Sequence, residues 1–558
     1  MTETRGLTDL TSHEVGLFAG DGGAGTKAGR RDGRGGGTGS VRRWWLVALV
    51  VAVAWALWSA GVGRRELVNP GGWTLLSRFW RAALHPHLSA EFLGVTWRAT
   101  LTTVAFAVLG TALSVVIGVI GGVLTSETWW RRARPGRRQG RAALRPGWFL
   151  GRGLFGLPRG IHEAVWGLFL VNVLGRDPMV GVLAIAIPFG AITAKVYAEL
   201  IDESAHAPYD ALRSAGVGRV VALAYTVFPQ TLPDMVSYAF YRLECSIRSA
   251  VILGLIGAGG LGFELNLTFQ SLAYREMWTL IYALVAISAL ADFWGASLRR
   301  RGTVRRVRRS LAGGLVLVAA SWVQLGPDLG RLFSVSTRRL LGDISIAAWP
   351  PSLPVDGWGG LIRRALDTLQ MSLLAIAIAS TLAVLAAFLA ARGGGSPRRR
   401  LVATGARLLL LVTRAVPPPV WALLVLFVLF PGPLPGAVAL GIYNFGILGR
   451  LMAEVVENLD PRPGAALRDA GTGGVATFAY ATLPLSLTRF TAYSLYRWEV
   501  AVRETVVVGV VGAGGLGRLL EQQRAAFNYP GMLATVMALV AVSIVVDLVS
   551  ASARRSLR

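Results

Sequence analysis

The segment YRLECSIRSAVILGLIGAGGLG begins at Tyr241, and the segment YRWEVAVRETVVVGVVGAGGLG begins at Tyr496. The two segments are identical at 12 of 22 positions, at an offset of 255 in residue number. The same offset relates Trp166 to Trp421, so the similarity extends far upstream of the quoted segments. The chain therefore contains a tandem duplication, and this repeat decides its architecture.

The offset between the copies changes nearer to the start of each copy. There Thr100 aligns with Thr368, at an offset of 268. The difference between 268 and 255 predicts about 13 additional residues in the basic loop of the first copy.

The composition is that of an integral membrane protein. Hydrophobic residues make up 53% of the 558 residues, and the mean hydropathy is +0.52. Each copy contains six apolar stretches, most of them near the ~20 residues that cross a bilayer as a helix. In the first copy these are Trp44–Gly61, Ala99–Leu124, Ile161–Leu174, Val180–Tyr197, Met235–Ile256 and Met277–Ala296.

The predicted fold class is all-α, with about 12 transmembrane helices arranged as two parallel six-helix repeats. Because six is an even number, both copies enter the membrane from the same side, which predicts two halves related by a pseudo-twofold axis. The predicted boundaries are a disordered basic tail at 1–43, a first repeat at 44–300, a basic linker at 301–310 and a second repeat at 311–558.

The formal net charge of +26 is explained by the membrane rather than by nucleic acid. Nine arginines lie in 131–159 and seven lie in 299–309, each group next to an apolar stretch. The positive-inside rule places both groups in the cytoplasm. The same topology puts both termini in the cytoplasm and predicts a multi-pass protein of the cell membrane.

The residue types needed for catalysis or metal binding are not grouped in the sequence. Cys245 is the single cysteine, and the five histidines show no ligand spacing. The chain has no G-x-x-x-x-G-K-[ST] motif, and its lysines are Lys27 and Lys195. We therefore expect no catalytic residue, no metal and no cofactor bound by this chain, and any use of ATP requires a separate subunit.

A polar segment separates the fourth and fifth apolar stretches of each copy. It reads HAPYDALRSAGVGRVVALAYTVFPQTLP at 206–233, and its counterpart lies at 460–488. The pattern predicts a helix started by Pro208, a break at Gly216, and a second helix ended by Pro229 before the next span.

This repeated segment resembles the loop by which permeases of ABC importers contact their ATPase, with an acidic-Ala-Ala start, a glycine and a Leu-Pro end. The predicted coupling residues are Asp210, Ala211, Leu212, Arg213, Gly216 and Pro229, then Ala466, Leu467, Arg468, Gly471 and Pro484. The second copy has Ala465 where the acid is expected. The alternative interpretation is an ordinary connection that carries a surface helix.

The fifth span of each copy carries three ionisable residues, which are Arg242, Glu244 and Arg248 and their counterparts Arg497, Glu499 and Arg503. Charges at this depth are costly and are expected to face a cavity or one another. Glu244 and Arg248 lie four residues apart and are expected to pair. Arg242 points about 200° away from Glu244. Two guanidinium groups without that partner, one from each half, would suit an oxyanion in the translocation path. Alternatively these arginines tie helices together or reach the headgroups.

The motif GAGGLG follows each fifth span. Its glycines are Gly257, Gly259, Gly260 and Gly262, and Gly512, Gly514, Gly515 and Gly517. It matches the dinucleotide fingerprint in form, but that fingerprint requires a preceding strand, whereas here an apolar span precedes it twice. We expect a tight backbone turn that allows close helix approach or forms part of a gate.

The segments RAVPPPVWALL (414–424), YRWEVAVR (496–503) and GVVGAGGLG (509–517), together with the polar loop, resemble the phosphonate-type ABC transporter permeases. This resemblance implies a methionine-importer-like fold, two cytoplasmic ABC ATPase subunits and an extracytoplasmic solute-binding protein for phosphonate, phosphate or phosphite. Ordinary members carry one copy and form homodimers, so this chain is expected to act as a monomeric pseudo-dimer in the phospholipid bilayer. The alternatives are an ion-coupled secondary transporter, a permease for another solute such as methionine, and a membrane-embedded enzyme.

Overall fold

The computed structural model describes residues 38–64, 66–130, 146–175, 177–300, 304–392 and 396–557. These residues are helical apart from their connections and one isolated bridge between Val68 and Leu429. Most of the predicted tail at 1–43, much of the first basic loop and the start of the predicted linker lie outside the described residues.

The helices are numbered in chain order. Those before residue 301 are α1 (Thr38–Ser59), α2 (Gly72–Ala83), α3 (Ala90–Thr125), α4 (Glu127–Trp130), α5 (Pro146–Gly160), α6 (Glu163–Leu174), α7 (Met179–Glu203), α8 (Ala207–Ser214), α9 (Arg219–Ala222), α10 (Phe228–Leu253), α11 (Leu261–Gln270) and α12 (Tyr274–Arg300). Those after it are α13 (Val304–Leu325), α14 (Leu329–Leu332), α15 (Val335–Ala348), α16 (Gly357–Ala390), α17 (Pro397–Ala415), α18 (Pro418–Val428), α19 (Pro433–Glu457), α20 (Arg462–Asp469), α21 (Gly474–Thr477), α22 (Leu483–Val508), α23 (Gly515–Ala525) and α24 (Tyr529–Leu557).

The predicted spans all correspond to apolar helices, although several are bent. Among the described residues, six helices are long and apolar enough to cross a membrane alone, and there are up to ten candidates if each bent pair counts as one span. Two further predicted spans correspond to shorter apolar helices, Val47–Ser59 and Glu163–Leu174. The chain is thus an all-α integral membrane protein built from two repeats.

Small residues set the central helix contact of each repeat. A Cβ built on Gly118 of α3 would lie 2.4 Å from Thr193 Cγ2 of α7, and one on Gly122 would lie 2.8 Å from Tyr197 Cβ. This G-x-x-x-G spacing lets the two helices approach closely in a membrane, where packing rather than the hydrophobic effect drives helix association. In α16 the same role falls to three fully buried alanines at intervals of four, which are Ala379, Ala383 and Ala387.

The structure corrects the predicted alignment of Thr100 with Thr368. Thr103 Oγ1 accepts a hydrogen bond from the Leu261 backbone N–H at 2.8 Å, and Thr368 Oγ1 accepts the matching bond from Leu516 at 2.9 Å. Thr103 is therefore the structural counterpart of Thr368, and the insertion predicted for the first copy is too long by three positions. The sequence alignment was wrong because the α3 and α16 sequences consist largely of small apolar residues, which match at several registers.

The chain forms two compact units that interleave along the sequence. One unit contains His85–Ile344, and the other contains Ser345–Arg558 together with the described part of Glu14–Leu84. In the first unit α13 packs against α3, and in the second unit α1 packs against α16. The first span of each predicted repeat therefore belongs to the compact unit formed by the other repeat.

Candidate functional site

The two polar loops have the same local structure. Helix α8 has proline in its first turn, and it ends at Gly216, whose φ is +84°. The Val217 N–H bonds to Leu212 O and the Gly216 N–H bonds to Arg213 O, which is a Schellman ending. Gly471, with φ +82°, ends α20 in the same way. The predicted start at Pro208 and break at Gly216 are confirmed.

The prediction that Pro229 ends a helix is wrong. The helix that starts at Arg219 runs through a π-helical turn at Leu223–Val227 into α10, and Pro229 lies in the first turn of α10. In this wide turn the Phe228 N–H reaches Leu223 O, five residues back. A proline can follow because the turn already departs from the regular hydrogen-bond pattern that proline would break.

Pro484 lies in the equivalent place after the π-helical turn Phe478–Thr482 in the second copy. In each copy, the part of the polar loop that follows the Gly216 or Gly471 turn is therefore connected to the fifth span by continuous helix.

The first loop is anchored to its unit by Tyr209, and the second has no such anchor. The Tyr209 side chain is only 3% exposed and packs in a cluster with residues that include Leu200 and Leu223. Burial raises the pKa of this phenol, while Arg213 and Arg219 act in the opposite direction. The residue at the matching position of the second copy is Gly464, and α20 has no buried residue. The two predicted coupling helices are thus held unequally.

Arg242 lies in an aromatic environment. It is 7% exposed, and its Nε donates to the Tyr238 hydroxyl at 2.8 Å. Its guanidinium carbon lies 5.2 Å from the centre of the Phe189 ring, 5.0 Å from that of Tyr238 and 5.7 Å from that of Tyr241. Such cation–π contacts, together with the hydrogen bond, favour keeping the charge in a desolvated place.

The expectation that Arg497 lacks an acidic partner is wrong. Arg497 Nη2 lies 2.9 Å from Glu504 Oε1, and its Nε donates to Asn444 Oδ1 at 2.7 Å. Asn444 Nδ2 in turn donates to Glu504 Oε2 at 3.2 Å, which closes a three-residue network that we call the Arg497 triad. Arg497 and Glu504 are each 8% exposed, and Asn444 is fully buried. The triad neutralises the second arginine within its own unit.

The Glu–Arg pairs of the fifth span differ between the copies. Glu244 and Arg248 form the predicted pair at 3.6 Å. Glu499 is bound by Arg554 of α24 at 2.5 Å, while Arg503 Nε donates to the Glu499 carbonyl at 3.3 Å.

The glycine motif forms a backbone turn, as predicted. Gly257 has φ +109° and Gly512 has φ +111°, and α10 and α22 meet the following helices at 56° and 62°. A Cβ on Gly262 would lie 1.9 Å from Val251 O, and one on Gly517 would lie 2.4 Å from Val506 O. Glycine is therefore required because the chain folds back against its own span.

Sequence reasoning missed Glu504, Asn444, Arg554 and Tyr209. Glu504 carried a usable signal, because it follows Arg497 by seven residues and so lies on the same helix face. Asn444 and Arg554 come from other helices, so no spacing within the fifth span could have indicated them.

The comparisons with known proteins agree with this arrangement. Residues 140–303 and 383–558 each match the family described as "Binding-protein-dependent transport system inner membrane component". The chain is 30% identical over 388 residues to the phosphate-import permease protein PhnE of Mycolicibacterium smegmatis, covering 66% of this chain and 71% of the relative.

Two relatives from Stutzerimonas stutzeri are also similar. Identity to the phosphite transport system permease protein PtxC is 34%, over 48% of this chain and 92% of the relative. Identity to the putative phosphite transport system permease protein HtxE is 34%, over 31% of this chain and 65% of the relative.

Proposed function

The chain belongs to the family of inner membrane components of binding-protein-dependent transport systems, and from this premise we propose that it is the fused permease of an ABC importer for phosphonate-, phosphate- or phosphite-like anions. It serves as a transport subunit, while ATP is hydrolysed on two cytoplasmic ATPase subunits. An extracytoplasmic binding protein delivers the anion. One chain supplies both halves of the permease in the cell membrane, with both termini in the cytoplasm.

The observation that carries this proposal is the repeated polar loop, whose second helix continues into the fifth span in both copies. Helix continues from Arg219 through the π-helical turn to the level of Arg242 without a break. At about 1.5 Å per residue, this element carries a displacement over roughly 35 Å. In this proposal, force applied by an ATPase at α8 or α20 passes through the short turn at 215–218 or 470–473 and then along this helix to the charged part of the fifth span of the same unit.

The ionisable residues of the fifth spans contribute to the translocation path in this proposal. Arg242, held by Tyr238 and aromatic faces, supplies positive charge suited to an oxyanion. Arg248 and Arg503 are placed beside acidic residues of the same helix, and Arg497 is placed in its triad. The glycine turns at 257–262 and 512–517 are the hinge elements that shape the gate.

Replacing both Gly216 and Gly471 by proline tests the coupling role. Proline holds φ near −65°, whereas these residues have φ +84° and +82°, so the loop helices must lose their endings. We expect the variant to remain in the membrane and to lose ATP-driven uptake by about 100-fold or more, the usual scale when a 1 Å misplacement disrupts catalysis. The measurement is uptake into proteoliposomes that contain the permease and its ATPase.

The same loops offer a matched control. Gly218 has φ −59° and Gly473 has φ −66°, values that proline adopts without strain. The Gly218→Pro, Gly473→Pro variant is expected to retain uptake. Normal uptake by the Gly216 and Gly471 variant, or uptake by the wild-type chain with no ATPase present, would contradict the proposal.

The substrate class is tested separately on the extracytoplasmic binding protein that this proposal requires. We expect phosphonate, phosphite or phosphate to bind it and to compete for uptake, with methionine as the negative control. Preferential binding of methionine would leave the importer mechanism intact and overturn the substrate class.

A further inference from the structure

Helix α17 exposes an apolar stripe. Leu401 and Leu408 are 75% and 56% exposed, and Val402 and Leu409 are 51% and 55% exposed. Because residues seven apart lie within about 20° of each other on a helix, these four side chains form one continuous strip. The opposite face packs into the unit through Ala403 and Leu410. The exposed side of this helix is therefore suited to hydrocarbon.

Three arginines stand at the start of the same helix. Arg398, Arg399 and Arg400 are exposed, and their side chains contact no acidic group among the described residues. Arg398 falls on the same face as the apolar stripe. Arg407, further along the helix, differs because it is bound by Glu457 and by Ala390 O. Positive charge without an internal partner is thus concentrated at one end of an apolar surface.

The orientation of α17 separates it from the adjoining span. It meets α18 at an angle of 94°, so it does not continue the line of that apolar helix. An amphipathic helix that turns away from a span and carries cationic residues beside an apolar face is typical of a helix lying in the membrane interface.

Helix α5 of the first copy has a similar exposed apolar face. In α5, Leu150, Leu154 and Leu157 are 75%, 67% and 68% exposed and lie on one face. The preceding sequence at 131–145 contains seven arginines, although that segment lies outside the described residues.

We propose that α17 binds anionic phospholipid, with the guanidinium groups of Arg398, Arg399 and Arg400 holding the headgroup phosphate and the apolar stripe contacting the acyl chains. Each arginine near an anionic membrane surface adds attraction, and arginine binds phosphate oxygens through paired hydrogen bonds. This inference is independent of the substrate and of the ATPase.

Lipid binding to the purified full-length chain provides the test. The delipidated protein in detergent is titrated with phosphatidylglycerol or phosphatidylcholine, and bound lipid is counted by native mass spectrometry. We expect the wild type to prefer phosphatidylglycerol. The Arg398→Gln, Arg399→Gln, Arg400→Gln variant should lose about tenfold or more in phosphatidylglycerol affinity, with no change for phosphatidylcholine.

Two further variants separate charge from folding. Replacing the three arginines by lysine keeps the charge and is expected to retain most of the preference. Replacing Arg78, Arg81 and Arg339 by glutamine removes the same charge from exposed sites elsewhere and should leave lipid binding unchanged. Single substitutions at 398, 399 and 400 should give a graded loss even where the triple glutamine variant is poorly folded.

Several outcomes would overturn the proposal. Equal affinity of the wild type for the two lipids would do so, as would full phosphatidylglycerol affinity in the glutamine variant. Displacement of bound lipid by millimolar inorganic phosphate would assign the arginines to a soluble anion. Loss of ATPase association with unchanged lipid binding would assign them to a protein partner.

Discussion

Arg497 shows how a charged residue is accommodated inside a membrane span. Its guanidinium, the Glu504 carboxylate and the Asn444 amide satisfy one another while each is buried. The two supporting positions are occupied by Ser249 and Phe189 in the first copy. Ser249 there donates to the Glu163 carboxylate at 2.6 Å. Duplication followed by divergence has thus given two equivalent arginines different environments.

Replacing Glu504 by glutamine should destabilise the second unit. The substitution keeps the side-chain shape but leaves the Arg497 charge buried without its counter-charge. Breaking a buried ion pair on one side costs about 3–5 kcal/mol. The change is measured as the shift in thermal unfolding of the purified chain in detergent.

The first copy provides the control for this prediction. Ser249→Ala removes a single hydrogen bond to a buried carboxylate, with an expected cost of about 1–3 kcal/mol. The double variant Arg497→Met, Glu504→Leu, which removes both charges, should recover most of the lost stability. An equal shift for Glu504→Gln and Ser249→Ala would show that the triad is not a buried ion pair of the expected strength.

At the scale of single elements, the loop helices α8 and α20 differ in how they are held. Both end in the same Schellman turn, yet α8 inserts Tyr209 into the core and α20 inserts nothing. Local unfolding free energy follows the number of buried apolar contacts. We therefore expect amide hydrogens of α8 to exchange more slowly than those of α20.

Replacing Tyr209 by alanine should remove this difference. Removing a buried aromatic side chain should increase exchange in α8 by about tenfold or more, given the ~1.5–3 kcal/mol gained by burying a large apolar side chain. Hydrogen exchange followed by mass spectrometry measures the effect. Tyr225→Ala in the same loop is the control, because Tyr225 is 77% exposed. Equal protection of α8 and α20 in the wild type would contradict this prediction.

The whole molecule is organised by an exchange of first spans between the repeats. Gln370 Nε2 of α16 donates to Ala56 O of α1 at 2.7 Å, although the two residues are 314 positions apart. Arg331 likewise lies 3.2 Å from the buried Asp177 carboxylate of the first unit. Each repeat as defined by sequence therefore packs its later helices against the first span of the other repeat and not against its own first span.

Two fragments of equal length test this organisation. Residues 85–344 follow the compact unit, while residues 44–303 follow the sequence repeat. We expect the fragment 85–344 to resist limited proteolysis in detergent and the fragment 44–303 to be cleaved readily.

Co-expression should rescue the poorly packed fragment. A chain divided between 300 and 304 should reassemble when both parts are made together, because each compact unit draws helices from both parts. Stable folding of 44–303 alone, with no gain from its partner fragment, would argue against the exchange.

The sequence alone determined the repeat, the membrane class, the polar loops and the glycine turns, because each depends on composition or on short spacing. The turns at Gly216 and Gly257 could be predicted from the sequence, because sharp turns with positive φ favour glycine. The ion pair of Glu244 and Arg248 could be predicted because helix geometry alone brings residues four apart together.

The tertiary structure alone decided which helices share a unit, which register relates α3 to α16, and how Arg497 is neutralised. These features depend on contacts between segments far apart in the chain, and similar apolar sequences permit several such contacts. Pro229 is another example, because a continuous helix accommodates this proline only after a π-helical turn. No residue type in the sequence indicates that turn. In a membrane the choice among alternatives rests on close packing and on satisfying buried polar groups, and both are fixed only when the whole unit is assembled.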